Sequence, residues 1–409
     1  MEDSPLKPIV PQASPGRSPA GRGGLSSLRR LPRNVWAVTV ASGLTDLSTD
    51  TLTGLLPFYL AQTLGASTAA IGLIEGVADA TASLVKLGSG WFSDRWRRRK
   101  PLAVFGYGLS TASKALMLVA TTWPRVLVVR FFERSGKGIR TAPRDALLAD
   151  SIAVDQRGFA FGVHRAGDTA GAVLGLSIGW LIATTLGEGA SLTLGAFRVA
   201  VVLSLIPAIL AVIVLGVFAR EIRPAGAAQQ EAKGGNHPAR QYPRFRWFLA
   251  SVVIFTLGNS SDAFLLLRAQ NLGLSISGAI GTLIALNLVY TALSPALGAL
   301  SDRLGRRKVL LAGWLIYVAV YIALAVADES WQLWPIVAAY GVYYAATEGV
   351  GKAFVADLVP SPQRGTAYGM YHAAIGAGCL MFIAAACSPR RNAHGHPPQL
   401  RSSAQARCR

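Results

Sequence analysis

Cysteine is nearly absent from this 409-residue chain: there are three, Cys379, Cys387 and Cys408, all near the C-terminus and none at a metal-ligand spacing. They imply neither a disulfide framework nor a zinc site. Charge is scarce too, at 15% of residues against roughly 25% for an average soluble domain, which argues against a water-soluble globule. Acids are the scarcer sign, 21 against 40 basic residues, for a net charge of +19. No P-loop, metal-ligand cluster or nucleophile motif occurs, so an enzyme reading has no chemical carrier and no cofactor or metal is implied. What the chain has in quantity is apolar sequence, 52% of residues, with a mean hydropathy of +0.40.

The apolar residues fall into runs long enough to cross a bilayer as helix. The runs predict eleven spans, at 35–62, 69–93, 101–121, 124–147, 158–186, 195–219, 247–270, 275–300, 308–327, 331–357 and 366–387. Residues 1–34, rich in Pro, Ser, Gly and Arg, read as a disordered basic arm, and 220–246 as a polar linker between two halves, 35–219 and 247–387. With the N-terminus in the cytoplasm, the segments on that side through residue 364 hold 27 basic against 10 acidic residues. The outer side holds Arg125, Arg198 and Arg268 against Glu188, Asp328 and Glu329. This is the positive-inside asymmetry of a plasma-membrane (bacterial inner-membrane) protein, and it accounts for the basic excess without nucleic acid.

The chain also repeats. Gly90-Trp91-Phe92-Ser93-Asp94-Arg95 recurs as Gly298-Ala299-Leu300-Ser301-Asp302-Arg303. Gln156-Arg157-Gly158-Phe159-Ala160-Phe161-Gly162 recurs at nearly the same offset as Gln363-Arg364-Gly365-Thr366-Ala367-Tyr368-Gly369, with Asp150 and Asp357 ahead of the two copies. Two parallel halves with a midplane site between them are a transporter architecture. At these residues the sequence resembles the major facilitator superfamily, whose signature Gly-x-x-x-Asp-Arg-x-Gly-Arg-Arg/Lys is matched by Gly298, Asp302, Arg303, Gly305, Arg306 and Arg307. The first copy carries Gly90, Asp94, Arg95 and Arg98, with Arg97 in place of the glycine. In span 4, Arg130 through Gly136 looks like the family's Arg-x-x-Gln-Gly-x-Gly element, and Gly136 through Asp145 resembles a branch of largely uncharacterised prokaryotic members. In span 5, Leu176 follows Gly175 where drug antiporters of the superfamily carry proline. The resemblance implies an all-α polytopic fold of two pseudo-symmetric six-helix halves, here with the last helix missing. It also implies a monomeric secondary transporter of a small organic solute that works by alternating access and contacts membrane lipid. Asp94 and Asp302 beside their arginines then form a gate on the cytoplasmic face, with lipid anchoring as the simpler role for the basic runs.

Thirteen ionisable residues fall at or near membrane depth: Asp46, Asp50, Glu75, Asp79, Lys86, Lys114, Arg130, Glu133, Arg134, Arg165, Asp168, Asp262 and Glu348. At roughly 2.5–3.5 kcal/mol each on an insertion scale they must pair or line water. Asp46 and Asp50 share one helix face, and Arg130, Glu133, Arg134 and Lys137 form a stripe on span 4, so the two sets are expected to pair. One of Asp46, Asp50 or Glu133 is the candidate site for a coupling proton, with a structural ion-pair network as the alternative. His164 and Asp168, four residues apart, are a candidate relay or a local hydrogen bond. Gly167, Gly171, Gly175 and Gly179 form a strip for close helix packing. In the second half Asn259, Ser260, Ser261 and Asp262 interrupt span 7, while Tyr340, Tyr344 and Glu348 lie along span 10, as expected of a site for a cationic or hydroxylated solute or of interhelical packing. Export is favoured over uptake by the carboxylate-lined, basic first half. The repeat calls for a twelfth span near 402–426, whereas 388–409 is polar and basic. The tail therefore reads as frame-shifted or truncated, and a transporter-like receptor or inactive paralogue is the alternative to a working carrier.

Overall fold

The computed structural model of the chain describes residues 28–186, 193–222, 241–258, 263–274 and 276–387. Among these residues there is no strand, and twelve α-helices, eleven of them 15 residues or longer, carry the fold. They are α1 (Arg33–Thr53), α2 (Thr68–Trp96), α3 (Arg99–Leu116), α4 (Trp123–Asp150), α5 (Arg157–Leu186), α6 (Leu194–Phe218), α7 (Pro243–Leu257), α8 (Ala263–Asn271), α9 (Ile276–Leu304), α10 (Arg306–Val326), α11 (Leu333–Leu358) and α12 (Arg364–Cys387). The pair α7 and α8 falls within expected span 7, so spans 8 to 11 correspond to α9 to α12. Asn259, Ser260, Ser261 and Asp262 lie outside the described residues.

Local chemistry explains several boundaries. Ser67 caps α2 by accepting from the Ala70 N–H at 3.2 Å, and Thr193 caps α6 by accepting from Ala196 at 3.1 Å. Span 1 is not one straight helix: α1 stops at Thr53, and the chain continues through Leu56–Phe58 into a π-helical turn, Tyr59–Thr63. That turn aims Tyr59 inward, where its hydroxyl donates to the Ala120 carbonyl at 3.0 Å and its ring stacks on Phe197 at 3.8 Å.

Six helical segments are apolar and long enough to cross a membrane by composition alone, within α2, α3, α5, α6, α9 and α10. Helices α1, α4 and α11 do not qualify; they carry many of the ionisable residues found at depth. The outer surface is greasy, with Leu84, Trp247, Ile254 and Leu315 each at least two-thirds exposed. Such a belt is unfavourable in water and suited to lipid.

In the first half α1 packs on α5 and α6, and α4 on α2 and α3; in the second α11 packs on α9 and α10, and α12 on α7. The halves meet through α5 against α9 and α2 against α12. Under the repeat α2 corresponds to α9 and α5 to α12, so exchanging the halves maps one contact onto the other. The glycine strip of α5 serves packing inside the first half: a side chain at Gly171 would sit 2.0 Å from the Gly43 carbonyl oxygen of α1.

Candidate functional site

Two clasps, related by the repeat, join the halves at the ends of α2 and α9. The carboxylate of Asp94, at the end of α2, accepts from the backbone N–H groups of Gly365 (2.9 Å) and Thr366 (2.6 Å) and from the Thr366 hydroxyl (2.8 Å). Asp302, at the end of α9, accepts from Gly158 (2.9 Å) and Phe159 (2.8 Å). Each signature aspartate thus caps the first turn of a helix in the opposite half, where orphan N–H groups and the helix dipole favour a negative charge. Glycine is required at these crossings, because a side chain on Gly90 would meet the Gly365 carbonyl oxygen at 2.2 Å and one on Gly158 that of Gly298 at 2.3 Å.

Arginines complete both clasps. Asp150 takes Arg99 from its own half and Arg364 from the other, and Asp357 takes Arg306 (3.0 Å) from its own half and Arg157 (2.7 Å) from the other. Arg306 also pairs with Asp302, and Arg99 with Asp94 at 3.4 Å. Aligning the signature by sequence selects Arg98, which is exposed; the arginine in the clasp is Arg99, 1% exposed. The reason is the connection: Arg97 and Arg98 separate α2 from α3, whereas only Gly305 separates α9 from α10. Arg97 and Gly305 both have positive φ, 56° and 95°, so arginine here takes the left-handed turn usually given to glycine. Arg95 and Arg303 point outward and are exposed.

Between the halves lies a cavity of about 350 Å3, near the lower end of ligand pockets. The first half contributes Asp46 from α1, Lys86 from α2, Lys137, Arg140 and Arg144 from α4, and Arg165 and Asp168 from α5. The second contributes Phe255 of α7, Trp314 of α10, Tyr343, Tyr344, Glu348 and Lys352 of α11, and Tyr371 and His372 of α12. Ion pairs cross it: Arg165 binds Glu348 at 2.9 Å, and the fully buried Asp145 of α4 binds Lys352 at 3.2 Å and His372 at 2.9 Å while also holding Arg144 at 3.0 Å.

The expected pairing of α1 with α4 is not what forms. Arg130 binds Glu75 of α2 and Glu133 of its own helix, each at 2.8 Å, and Arg134 reaches Glu75 at 3.7 Å and Asp79 at 3.6 Å. Glu75 and Asp79 stand on the adjacent helix α2 of the same half and Glu133 on α4 itself, a shorter reach than α1. Asp46 lines the cavity with no direct salt bridge among the described residues, and Asp50, half-buried, lies outside the lining. Lys114 turns instead to the hydroxyls of Ser48 (2.7 Å) and Thr49 (2.9 Å) on α1. His164 is buried with neither ring nitrogen hydrogen-bonded, 3.7 Å from Asp168, so the local hydrogen bond does not form. Tyr344 lines the cavity; Tyr340 is buried beside it among Tyr317, Tyr321 and Tyr343. Arg165 engages one oxygen of the Glu348 carboxylate, Oε2, at 2.9 Å.

A family model described as Major Facilitator Superfamily matches residues 38–289 and 247–387. The chain belongs to the major facilitator superfamily. A Methanocaldococcus jannaschii protein named as an uncharacterized MFS-type transporter is 30% identical over 354 residues, covering 85% of this chain and 86% of that one. The solved human organic anion transporter has a TM-score of 0.68 at 17% identity, covering 86% of this chain and 92% of that one. The E. coli fucose:proton symporter has a TM-score of 0.64 at 15% identity, covering 85% and 90% respectively. This facilitator-superfamily chain is accordingly an integral multi-pass membrane protein and a transporter, not an enzyme.

Several residues of this superfamily member escaped the sequence reading as site residues: Lys86, Arg140, Arg144, Arg165, Lys352 and His372, which line the cavity, and Asp145, buried behind them. A signal existed for some. Arg140 and Arg144 extend the stripe that contains Arg130 and Lys137, and Lys352 extends the one through Tyr344 and Glu348. Counting Arg140, Arg144 and Lys352 with the loop charges concealed them, because the helices run on past the point where hydropathy falls. His372 belongs to no such periodic stripe.

Proposed function

We propose that this protein is a secondary active carrier of a small organic solute, in which 35–219 and 247–387 rock about the cavity between them and transport is coupled to protons. The carrying observation is the pair of repeat-related clasps at the base of a two-sided polar cavity. A closure made of a few charge-assisted hydrogen bonds and glycine crossings, rather than a continuous apolar seam, can break and re-form as access alternates. The positive-inside rule assigns the clasped face to the cytoplasm.

Asp46 is the coupling site in this reading. It is the lining carboxylate with no salt bridge among the described residues, whereas Asp168 and Glu348 each bind an arginine, as does Glu133 outside the lining. A carboxylate left open to the cavity can exchange a proton with it at little structural cost. The test uses proteoliposomes holding a pH-sensitive dye and offered sugars, amines and aryl carboxylates in turn. A transported solute is expected to move protons with it, and Asp46→Asn to abolish that proton movement while solute exchange persists. Asp50→Asn is expected to keep coupling. Full coupling in both variants overturns the assignment.

A further inference from the structure

The charges of the cavity are unbalanced. Lys86, Lys137, Arg140, Arg144, Arg165 and Lys352 line it against Asp46, Asp168 and Glu348. Three of the cations are held: Arg165 by Glu348 at 2.9 Å and Asp168 at 3.4 Å, and Arg144 and Lys352 by Asp145 at 3.0 and 3.2 Å. The remaining three, Lys86, Lys137 and Arg140, make no salt bridge among the described residues, and Asp46 is the one lining carboxylate left to offset them. Arg140 is 4% exposed and its Nε has no hydrogen-bond partner. Its guanidinium is held in place over the Tyr107 ring, 4.4 Å from the centroid, and by the Ser110 hydroxyl at 3.0 Å. A buried guanidinium with two half-buried ammonium groups beside it and few counter-ions is unfavourable until an anion arrives.

The opposite wall is of another kind. Phe255 and Trp314 stack at 5.0 Å with ring planes 15° apart, and Tyr343 and Tyr344 continue the surface with Val252 and Leu310. The cavity is therefore polarised, cationic on α2 and α4 and aromatic on α7, α10 and α11.

We propose that the cavity binds a small organic anion, its carboxylate or sulfonate on Lys86, Lys137 and Arg140 and its aromatic body against Phe255, Trp314 and Tyr344. This deepens the transport reading by naming its substrate class, and it is tested by equilibrium binding, which does not require flux. The purified full chain in detergent is titrated with 2-naphthoate and 2-naphthalenesulfonate, with neutral 2-naphthamide, with cationic 2-naphthylmethylamine, and with inorganic sulfate.

The two aryl anions are expected to bind at least about tenfold more tightly than the amide, the amine or sulfate, given the usual strength of hydrogen bonds to charged groups. Lys137→Met and Lys86→Met should each weaken naphthoate by about tenfold, with Lys137→Arg restoring it. Trp314→Leu should weaken naphthoate and leave the weak sulfate binding unchanged. Binding of the amide or amine as tight as that of the anions overturns the proposal. So does the absence of binding by both aryl anions in protein whose melting temperature and monodispersity are intact, or unchanged affinity in both lysine variants. Anion binding without flux in vesicles would leave this site standing and defeat the transport reading. Flux of an amine or sugar without anion binding would do the reverse.

Discussion

Replacing Asp145 with alanine is expected to cost about 3–5 kcal/mol of stability, the loss typical of removing one partner from a buried ion cluster. The carboxylate is fully buried and is the common acceptor for Arg144 Nε and Nη2 (3.1 and 3.0 Å), His372 Nε2 (2.9 Å) and Lys352 Nζ (3.2 Å). Its removal strands at least two cations beside the cavity, one from each half, so the loss falls on the joint between the halves as well as on α4. Thermal unfolding in detergent measures it, and Asp145→Asn, which keeps the volume and loses the charge, is expected to fall between wild type and Asp145→Ala. An alanine variant that melts with wild type would show that the cluster does not hold the halves together.

The second large effect is expected at the clasps. Asp94 and Asp302 each accept at least two backbone N–H groups at the start of a helix in the other half, and each such bond to a charged acceptor contributes about 1.5–3 kcal/mol. Losing both clasps removes enough energy to shift an open–closed equilibrium by more than about a hundredfold. In a background with Cys379, Cys387 and Cys408 replaced by serine, a cysteine at Thr141, which lines the cavity, reports on access. Asp94→Ala combined with Asp302→Ala is expected to raise its labelling by a membrane-impermeant maleimide, applied from the basic-loop face, by at least about tenfold. Either single variant should give a smaller rise, because the repeat-related clasp remains. Unchanged labelling in the double variant would mean that the glycine crossings alone seal that face.

Much of this protein was legible as pattern. Hydropathy runs place the helices to within a few residues, and the offset repeat locates both clasps, because each clasp residue must stand at the same turn of its own half. What pattern could not supply was the partner of each charge. Asp46 and Arg130 lie on stripes that suggest mutual attraction, yet Arg130 finds Glu75 on the neighbouring helix, and Asp46 is left facing the cavity. A one-residue difference in the α2–α3 connection moved the clasp from Arg98 to Arg99, a change that an ungapped alignment cannot register. Arg140, Arg144 and Lys352 looked like loop charges obeying a topology rule; tertiary packing set them, with the stripe residue Lys137, around a cavity.

By itself, then, the sequence determined that this is an α-helical membrane protein built on a repeated half with its basic loops on one face. Those properties follow from composition and spacing, which each helix carries alone. Only the tertiary structure decided which carboxylates are neutralised and which cations remain without one. A direct salt bridge needs its charged atoms within about 4 Å, and that distance is set by how helices from the two halves cross.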